Sequence, residues 1–310
     1  MRVFHTTQKL PEFKNSIFTQ GTFDGVHLGH QKIFETMKGF KEKAGGESVL
    51  LTFWPHPRLL LFPEDNQLKL LQTLDEKLEI LSKCQIDNVI VLPFTKEFSN
   101  ILPEDYIKEF LVNTLNIHTA IIGYDHRFGR NREGDIALLN SFKEQYKYEV
   151  IEIGAEEVDE ITISSTKIRQ ALSAGDVETA NAYLGRPYNF TGEVIKGMQL
   201  GRKLGYPTAN LEINSKNKLI PANGVYAVHC KLENKVYGGM MNIGDNPTIP
   251  NKPFSIEVNI FDFDEDIYGK NLEVYLLSRL RDEKKFDNIQ DLSLILQLDK
   301  KNALEKISHF

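Results

Sequence analysis

No apolar run in this sequence approaches a membrane span. Stretches such as residues 59–62 are short against the roughly 20 apolar residues a spanning helix needs. The beginning of the sequence does not read as a signal peptide, because Lys9, Glu12 and Lys14 interrupt any apolar stretch, so a cytoplasmic protein is expected. Cysteine is scarce. Cys84 and Cys230 stand apart from each other and from any CxxC or Cys/His cluster, which excludes a disulfide framework and leaves two small core residues. Low-complexity tracts and internal repeats are lacking, so repeat and disordered classes are excluded as well. A basic excess is missing too. Residues 1–184 carry 20 basic and 27 acidic side chains and residues 185–310 carry 17 and 16, so neither half has the electrostatic footprint of a nucleic-acid binder.

What is present is local and specific. Within the acidic half, Arg127, Arg130 and Arg132 fall in six residues, and Lys167 and Arg169 follow later. Such cations in an acidic domain point to a small anionic ligand rather than a polyanion.

At 310 residues the chain is long enough for two domains, each with its own core. In the first half, residues 16–20, 48–53, 88–92, 119–123 and 148–153 read as short strands rich in Val, Ile and Phe. Amphipathic helices separate them. Ile33, Met37, Phe40 and Ala44 recur at helical spacing, Thr73 with Glu76 reads as a capping box, and Pro103 suits a helix start ahead of Tyr106, Phe110 and Leu111. This alternation predicts an α/β doubly wound parallel sheet covered on both faces.

The hydrophobic period then changes. Tyr226, Val228, Cys230 and Leu232 alternate, Glu233-Asn234 reads as a hairpin turn into 235–242, and 190–195, 254–261 and 272–277 are further strands. Ile289, Leu292, Leu296, Ala303 and Ile307 mark one face of a terminal helix. A small antiparallel β-barrel domain with a C-terminal helix is expected. The boundary falls near 184–188, after the helical run 168–184 and at Pro187, giving domains 1–184 and 185–310.

The first predicted strand runs into GTFDGVHLGH, residues 21–30, and then into the first helix. Gly21 and Gly25 permit a tight turn that aims backbone amides and a helix N-terminus at one spot, which favours phosphate. His27 and His30, three apart, project from one face. Alone, an HxxH pair is an ordinary surface or capping feature; the strand, glycine turn and helix around it set this one apart.

The segment resembles the signature of the HxGH nucleotidyltransferases, Rossmann-like enzymes, in the longer form of the bacterial riboflavin kinase/FAD synthetases. TFWPHP (52–57), GYDHRFGRNREGD (123–135) and ISSTKIR (163–169) fit the same family, each following a predicted strand. In a doubly wound fold, ligands bind at these strand ends. The resemblance implies ATP there with FMN beside it. His27 and His30 would contact the triphosphate, and Ser165, Thr166 and Arg169 would hold its far end. Asp24 would be a positioning or metal-facing group, and Asp125 and Arg127 flavin or anion contacts. Thr22 stands where the family usually has Asn, and His126 where it usually has Phe.

The second motif is GMQLGRKLGYPTAN, residues 197–210. Gly197, Gly201 and Gly205, spaced four apart, make a mobile loop that Pro207 ends. The stretch resembles the riboflavin kinase signature, which implies Mg²⁺–ATP bound by this loop, with the Thr208 hydroxyl and Asn210 carboxamide as oxygen ligands to Mg²⁺. GVYAV (224–228), MNIGDNPTI (241–249), IEVNIFDFDEDIYG (256–269) and RLRDEKKF (279–286) continue the resemblance, so it covers essentially the whole chain. Kinase chemistry on a neutral alcohol favours a positioned carboxylate to accept its proton. Glu257, in an alternating apolar strand, is the expected base. Asp262, Asp264, Glu265 and Asp266 read as a solvated turn, and Arg281 and Phe286 as cover for the flavin.

The expected function is therefore phosphorylation of riboflavin to FMN and adenylylation of FMN to FAD with release of pyrophosphate, using ATP and Mg²⁺, with no nucleic-acid or membrane partner. Rival readings are a single active domain, another HxGH adenylyltransferase acting on a nicotinamide or pantetheine phosphate, and a non-catalytic flavin-binding protein. The PTAN domain opposes the second. The presence of His27, His30, Thr208, Asn210 and Glu257 together opposes the third.

Overall fold

Strands made almost wholly of buried residues need cover on both faces, and the first part of the chain supplies it. In the computed structural model, which describes every residue except 62–67, 125, 155–162, 204, 246–252, 287 and 310, the chain divides into two units. The first comprises Met1–Leu68 and Leu74–Ser164. Its strands are β1 (Arg2–Phe4), β2 (Ser16–Gln20), β3 (Ser48–Phe53), β4 (Asn88–Leu92), β5 (Ile117–Gly123) and β6 (Glu149–Ile153). All pair in parallel, in the order β1-β4-β3-β2-β5-β6. Successive strand residues point to opposite faces. Ile17, Leu50, Val89 and Val91 join one core with Phe34, Met37 and Leu81, while Phe18, Val49, Leu51 and Ile90 join another with Tyr106 and Leu111.

The helices of this unit are α1 (Leu28–Ala44), α2 (Pro57–Leu61), α3 (Leu74–Lys83), α4 (Lys96–Ser99), α5 (Pro103–Asp105) and α6 (Ile136–Tyr146). Between α5 and β5 the chain winds as a π-helix over Tyr106–Thr114, where the sequence predicts an ordinary helix. Its wider turn goes with an aromatic cluster in which Tyr106 and Phe110 stack at 5.2 Å and both approach Phe98. The chain order reverses at β2 and β5, so the ends of these two strands open onto the crevice where such sheets bind ligands.

The second unit comprises Lys69–Thr73 and Ser165–Phe310. After α7 (Ser165–Ala174) and α8 (Val177–Leu184) come β7 (Tyr188–Ile195), the short helix α9 (Leu200–Lys203), β8 (Ala209–Glu212), β9 (Gly224–Leu232), β10 (Lys235–Gly244), β11 (Ser255–Ile260), β12 (Asn271–Arg281) and α10 (Ile289–Ile307). The strands close an antiparallel barrel in the order β10-β11-β8-β7-β12-β9. The doubly wound sheet and the barrel with its terminal helix are thus both present. Along α10, Leu296, Ala303 and Ile307 pack against Ala227, Met240 and Phe261.

The helical run expected over 168–184 is two helices, Ser165–Ala174 and Val177–Leu184, broken at Gly175, whose φ of +81° is left-handed. They pack with the barrel. Asn181 donates to the Leu276 carbonyl at 2.8 Å and accepts from the Tyr188 amide at 2.7 Å, and the Ala222 amide donates to the Leu172 carbonyl at 3.0 Å. Helical periodicity marks the buried face of such a helix but not the core that buries it.

Candidate active sites

At the end of β2 the chain turns sharply. Phe23, Gly25 and Val26 have φ of +46°, +88° and +42°. At Gly21 a Cβ would come within 3.0 Å of the Phe23 ring, which folds back over it. His27 is extended, and its carbonyl accepts from the amides of His30 at 2.8 Å and Gln31 at 3.0 Å, opening α1. The two imidazoles stack, with ring centroids 3.6 Å apart and planes 20° from parallel, and Phe23 meets His30 edge-on at 5.2 Å. Asp24 is buried beside them in sequence. The turn therefore brings together Gly21, Asp24, Gly25, His27 and His30 at the N-terminus of a 17-residue helix, where amides and helix dipole favour an anion.

Two side chains grip this turn. The Thr22 carbonyl accepts from the Thr52 hydroxyl at 3.2 Å and from the Lys77 ammonium at 2.7 Å. Lys77 is 2% exposed, and its ammonium lies 5.6 Å from the Trp54 ring centroid. Burial pushes its pKa down to about 8, with the Asp24 charge opposing the shift.

After β5, Arg127 forms an ion pair with Asp135 at 2.9 Å, and Asp135 caps α6 by accepting from the Leu138 amide at 3.0 Å. That amide and the Arg127 guanidinium hold the Asp135 carboxyl below its ordinary range. The ring of His126 lies 5.9 Å from that of Phe128, two residues later, centroid to centroid. Asp125 lies outside the described residues. Ser165, Thr166 and Arg169 are on the first turns of α7, in the second unit, and Arg169 donates from Nε to the Lys69 carbonyl at 2.7 Å.

In the barrel, β11 lies between β8 and β10, and Glu257 stands directly opposite Asn210 on one side and Asn242 on the other. Directly paired residues share a sheet face. The Thr208 hydroxyl donates to Glu257 Oε2 at 3.4 Å and Ser255 donates to Oε1 at 3.0 Å. Asn242 in turn donates to Glu283 at 3.1 Å. The glycine loop closes on this group. A Cβ at Gly197 would lie 2.2 Å from Asn210 Nδ2 and would displace that carboxamide, and one at Gly201 would lie 2.2 Å from the Tyr206 carbonyl oxygen, so Gly201 needs bare backbone. Gly205 turns the chain with φ of +79°, and α9 gives the loop a helical turn. Beside Thr208 is a cavity of about 260 Å³ with Val194, Pro207 and Ile260 on its apolar wall and Arg202 at its edge. Asp262, Asp264, Glu265 and Asp266 are exposed.

Arg281 makes a bidentate pair with the buried Asp299 of α10, at 2.7 to 3.1 Å, and lies 5.9 Å from the Phe286 ring. Its guanidinium fastens the terminal helix to β12. Two neighbours of the sites, Lys77 and Ser255, fall outside every motif of the sequence, whereas Thr52 and Asn242 lie within 52–57 and 241–249. Lys77 left a trace in the sequence, since it falls three after Leu74 and four before Leu81 on the apolar stripe of α3.

Comparison with known proteins finds a family model for each half of the chain. The FAD synthetase family model matches residues 9–167, and the riboflavin kinase model matches residues 184–307. The bifunctional riboflavin kinase/FMN adenylyltransferase of Bacillus subtilis is 35% identical, covering 96% of this chain and 94% of its own. Those of Listeria monocytogenes and Escherichia coli K12 are 37% and 32% identical, covering 92% and 98% of this chain and 90% and 96% of theirs. A crystal structure from Streptococcus pneumoniae, described as a macrolide-efflux protein, superposes with a TM-score of 0.87 at 31% identity, covering 96% of this chain and 97% of that one. Among the described residues, no helix is long and apolar enough to cross a membrane. The chain belongs to the family of bifunctional riboflavin kinases/FMN adenylyltransferases, enzymes that use ATP to convert riboflavin to FMN and FMN to FAD.

Proposed function

We propose that the two reactions are divided between the two units, with FMN adenylylated at the turn of residues 21–30 and riboflavin phosphorylated at the group around Glu257. The observation that carries this division is the setting of Glu257: a carboxylate opposite Asn210, 3.4 Å from the Thr208 hydroxyl, next to a glycine loop whose Gly201 has no room for a side chain. Nothing in adenylyl transfer calls for such a base.

In the first reaction an FMN phosphate oxygen attacks the α-phosphorus of ATP, and the bond to the β-phosphate bridging oxygen breaks to release pyrophosphate. The nucleophile is already an anion, so the protein's task is positioning and charge stabilisation. Stacked on one face, His27 and His30 offer donors to the triphosphate, and the amides opening α1 add to them. Arg127 is assigned to an anion contact on the family motif.

In the second reaction the terminal hydroxyl oxygen of the ribityl chain attacks the γ-phosphorus. Glu257 accepts the hydroxyl proton and ADP leaves. Ser255, bonded to the other carboxylate oxygen, fixes the orientation of the base. The cavity beside Thr208 suits the nucleotide, with its apolar wall for the base and Arg202 toward the phosphates. Thr208 and Asn210 would hold Mg²⁺. Both are oxygen donors, and the Gly197 backbone cradles the Asn210 carboxamide where a Cβ would intrude. Bound there, Mg²⁺ would offset charge on the phosphate oxygens. We place the enzyme in the cytoplasm, where ATP is at hand.

The test is Thr208→Val, assayed separately with riboflavin and with FMN as substrate. Riboflavin phosphorylation should fall and require more Mg²⁺, with adenylylation of supplied FMN unchanged. Equal loss of both activities would contradict the division.

A further inference from the structure

Lys77 is a charged residue that neither reaction uses. It lies on the buried face of α3, in a stripe whose neighbours Leu74 and Leu81 show what the helix would otherwise place there. An ammonium this deep costs several kcal/mol unless it is paired. Packing alone would be served as well by methionine or leucine, so the charge has another reason to be there.

Its partners belong to the catalytic turn. Lys77 donates to the Thr22 carbonyl at 2.7 Å, and the charge of Asp24 acts on it. Between and just beyond those two residues the backbone is left-handed at Phe23 and Val26, conformations that persist only where the surroundings enforce them. Val26 is the more demanding, because its branched side chain disfavours φ of +42°. One residue later, His27 opens α1 and stacks on His30. The Thr22 carbonyl, gripped also by Thr52, is thus the last fixed point before the turn that sets both imidazoles.

We infer that Lys77 is a positioning residue for adenylyl transfer, holding the Thr22 carbonyl and the Asp24 charge so that the turn keeps His27 and His30 in place for the nucleotide. The inference rests on the assignment of adenylylation to this turn. It acts through the turn, so its loss is read in kcat more than in the binding of ATP.

The experiment compares Lys77→Met, Asp24→Asn, their combination and the His27→Ala/His30→Ala pair in full-length protein supplied with FMN, ATP and Mg²⁺. Riboflavin phosphorylation by the same chain serves as the internal control. Emission of Trp54, the one tryptophan in the sequence, checks that the first unit is folded. Lys77→Met should lower kcat for FAD formation by on the order of tenfold to a hundredfold, the scale of a displacement of about 1 Å, with KM for ATP within about threefold. The combined variant should be no worse than the poorer single one within about twofold, because the two charges act as one device. Where Lys77→Met does not fold, Lys77→Gln is read by the same criteria. A kcat that stays near wild type, or losses that multiply in the combined variant, would overturn the inference. Full activity of the histidine pair would instead overturn the site assignment beneath it.

Discussion

The Thr208 hydroxyl lies 3.4 Å from Glu257 Oε2, although 49 residues separate the two in the chain. Only the pairing of β8 with β11 brings them together, with Asn210 directly opposite Glu257. Glu257→Gln keeps the shape of the side chain and its contact with Ser255 but removes the basicity. FMN formation from riboflavin should fall by about 10²- to 10⁴-fold, the usual worth of general base catalysis, with adenylylation of supplied FMN unchanged. Separate assays with the two flavins check this, and near-normal FMN production would move the base elsewhere.

The buried Lys77 makes a prediction about pH. In the unfolded chain this lysine keeps its proton up to about 10.5, whereas in the folded protein it gives it up from about 8. Between these values the unfolded state binds more protons, so stability rises with pH. The cost of burying the charge is present in full below about pH 8 and gone above about 10.5. Relative to Lys77→Met, wild type should gain a few kcal/mol over this window. Urea melts followed by Trp54 emission at several pH values measure the difference. A stability difference that does not change with pH would mean that the ammonium is not desolvated.

Much of this was legible in the sequence, for identifiable reasons. Strands β2, β3 and β4 coincide with the apolar runs 16–20, 48–53 and 88–92, because a strand buried on both faces has no choice of residue. The catalytic turn and the PTAN loop were visible because glycines and a proline mark backbone that few other residues can adopt. The grip of Lys77 on Thr22 was not, since it depends on two segments 55 residues apart meeting at a strand end. Nor was the pairing of Glu257 with Asn242, which follows from barrel register. Arg281 is tied to Asp299 in the structure, and a basic residue in a motif gives no sign of such a partner.

The packing of α7 and α8 bears on where the kinase unit can be cut. Ile168, Leu172, Val177, Ala180 and Leu184 are all buried, and Asn181 satisfies two backbone groups of the barrel. A fragment of residues 165–310 should melt cooperatively and phosphorylate riboflavin, and it should melt at a higher temperature than residues 185–310. Lys218 would lose one of its acceptors, the Leu71 carbonyl, in either fragment, so both should be less stable than the intact chain. Calorimetry with an FMN-formation assay decides it. Equal melting of the two fragments would show that α7 and α8 add nothing to the barrel.

The most direct measurement follows the separated flavins over time, from riboflavin, ATP and Mg²⁺, with wild type and with the His27→Ala/His30→Ala pair. Wild type should show FMN rising first and FAD following. The histidine pair should form FMN at the wild-type rate and stop there, because the stacked imidazoles are assigned to adenylyl transfer alone. Loss of both FMN and FAD in a folded histidine variant, or FAD formed at the wild-type rate without these rings, would contradict two separate sites.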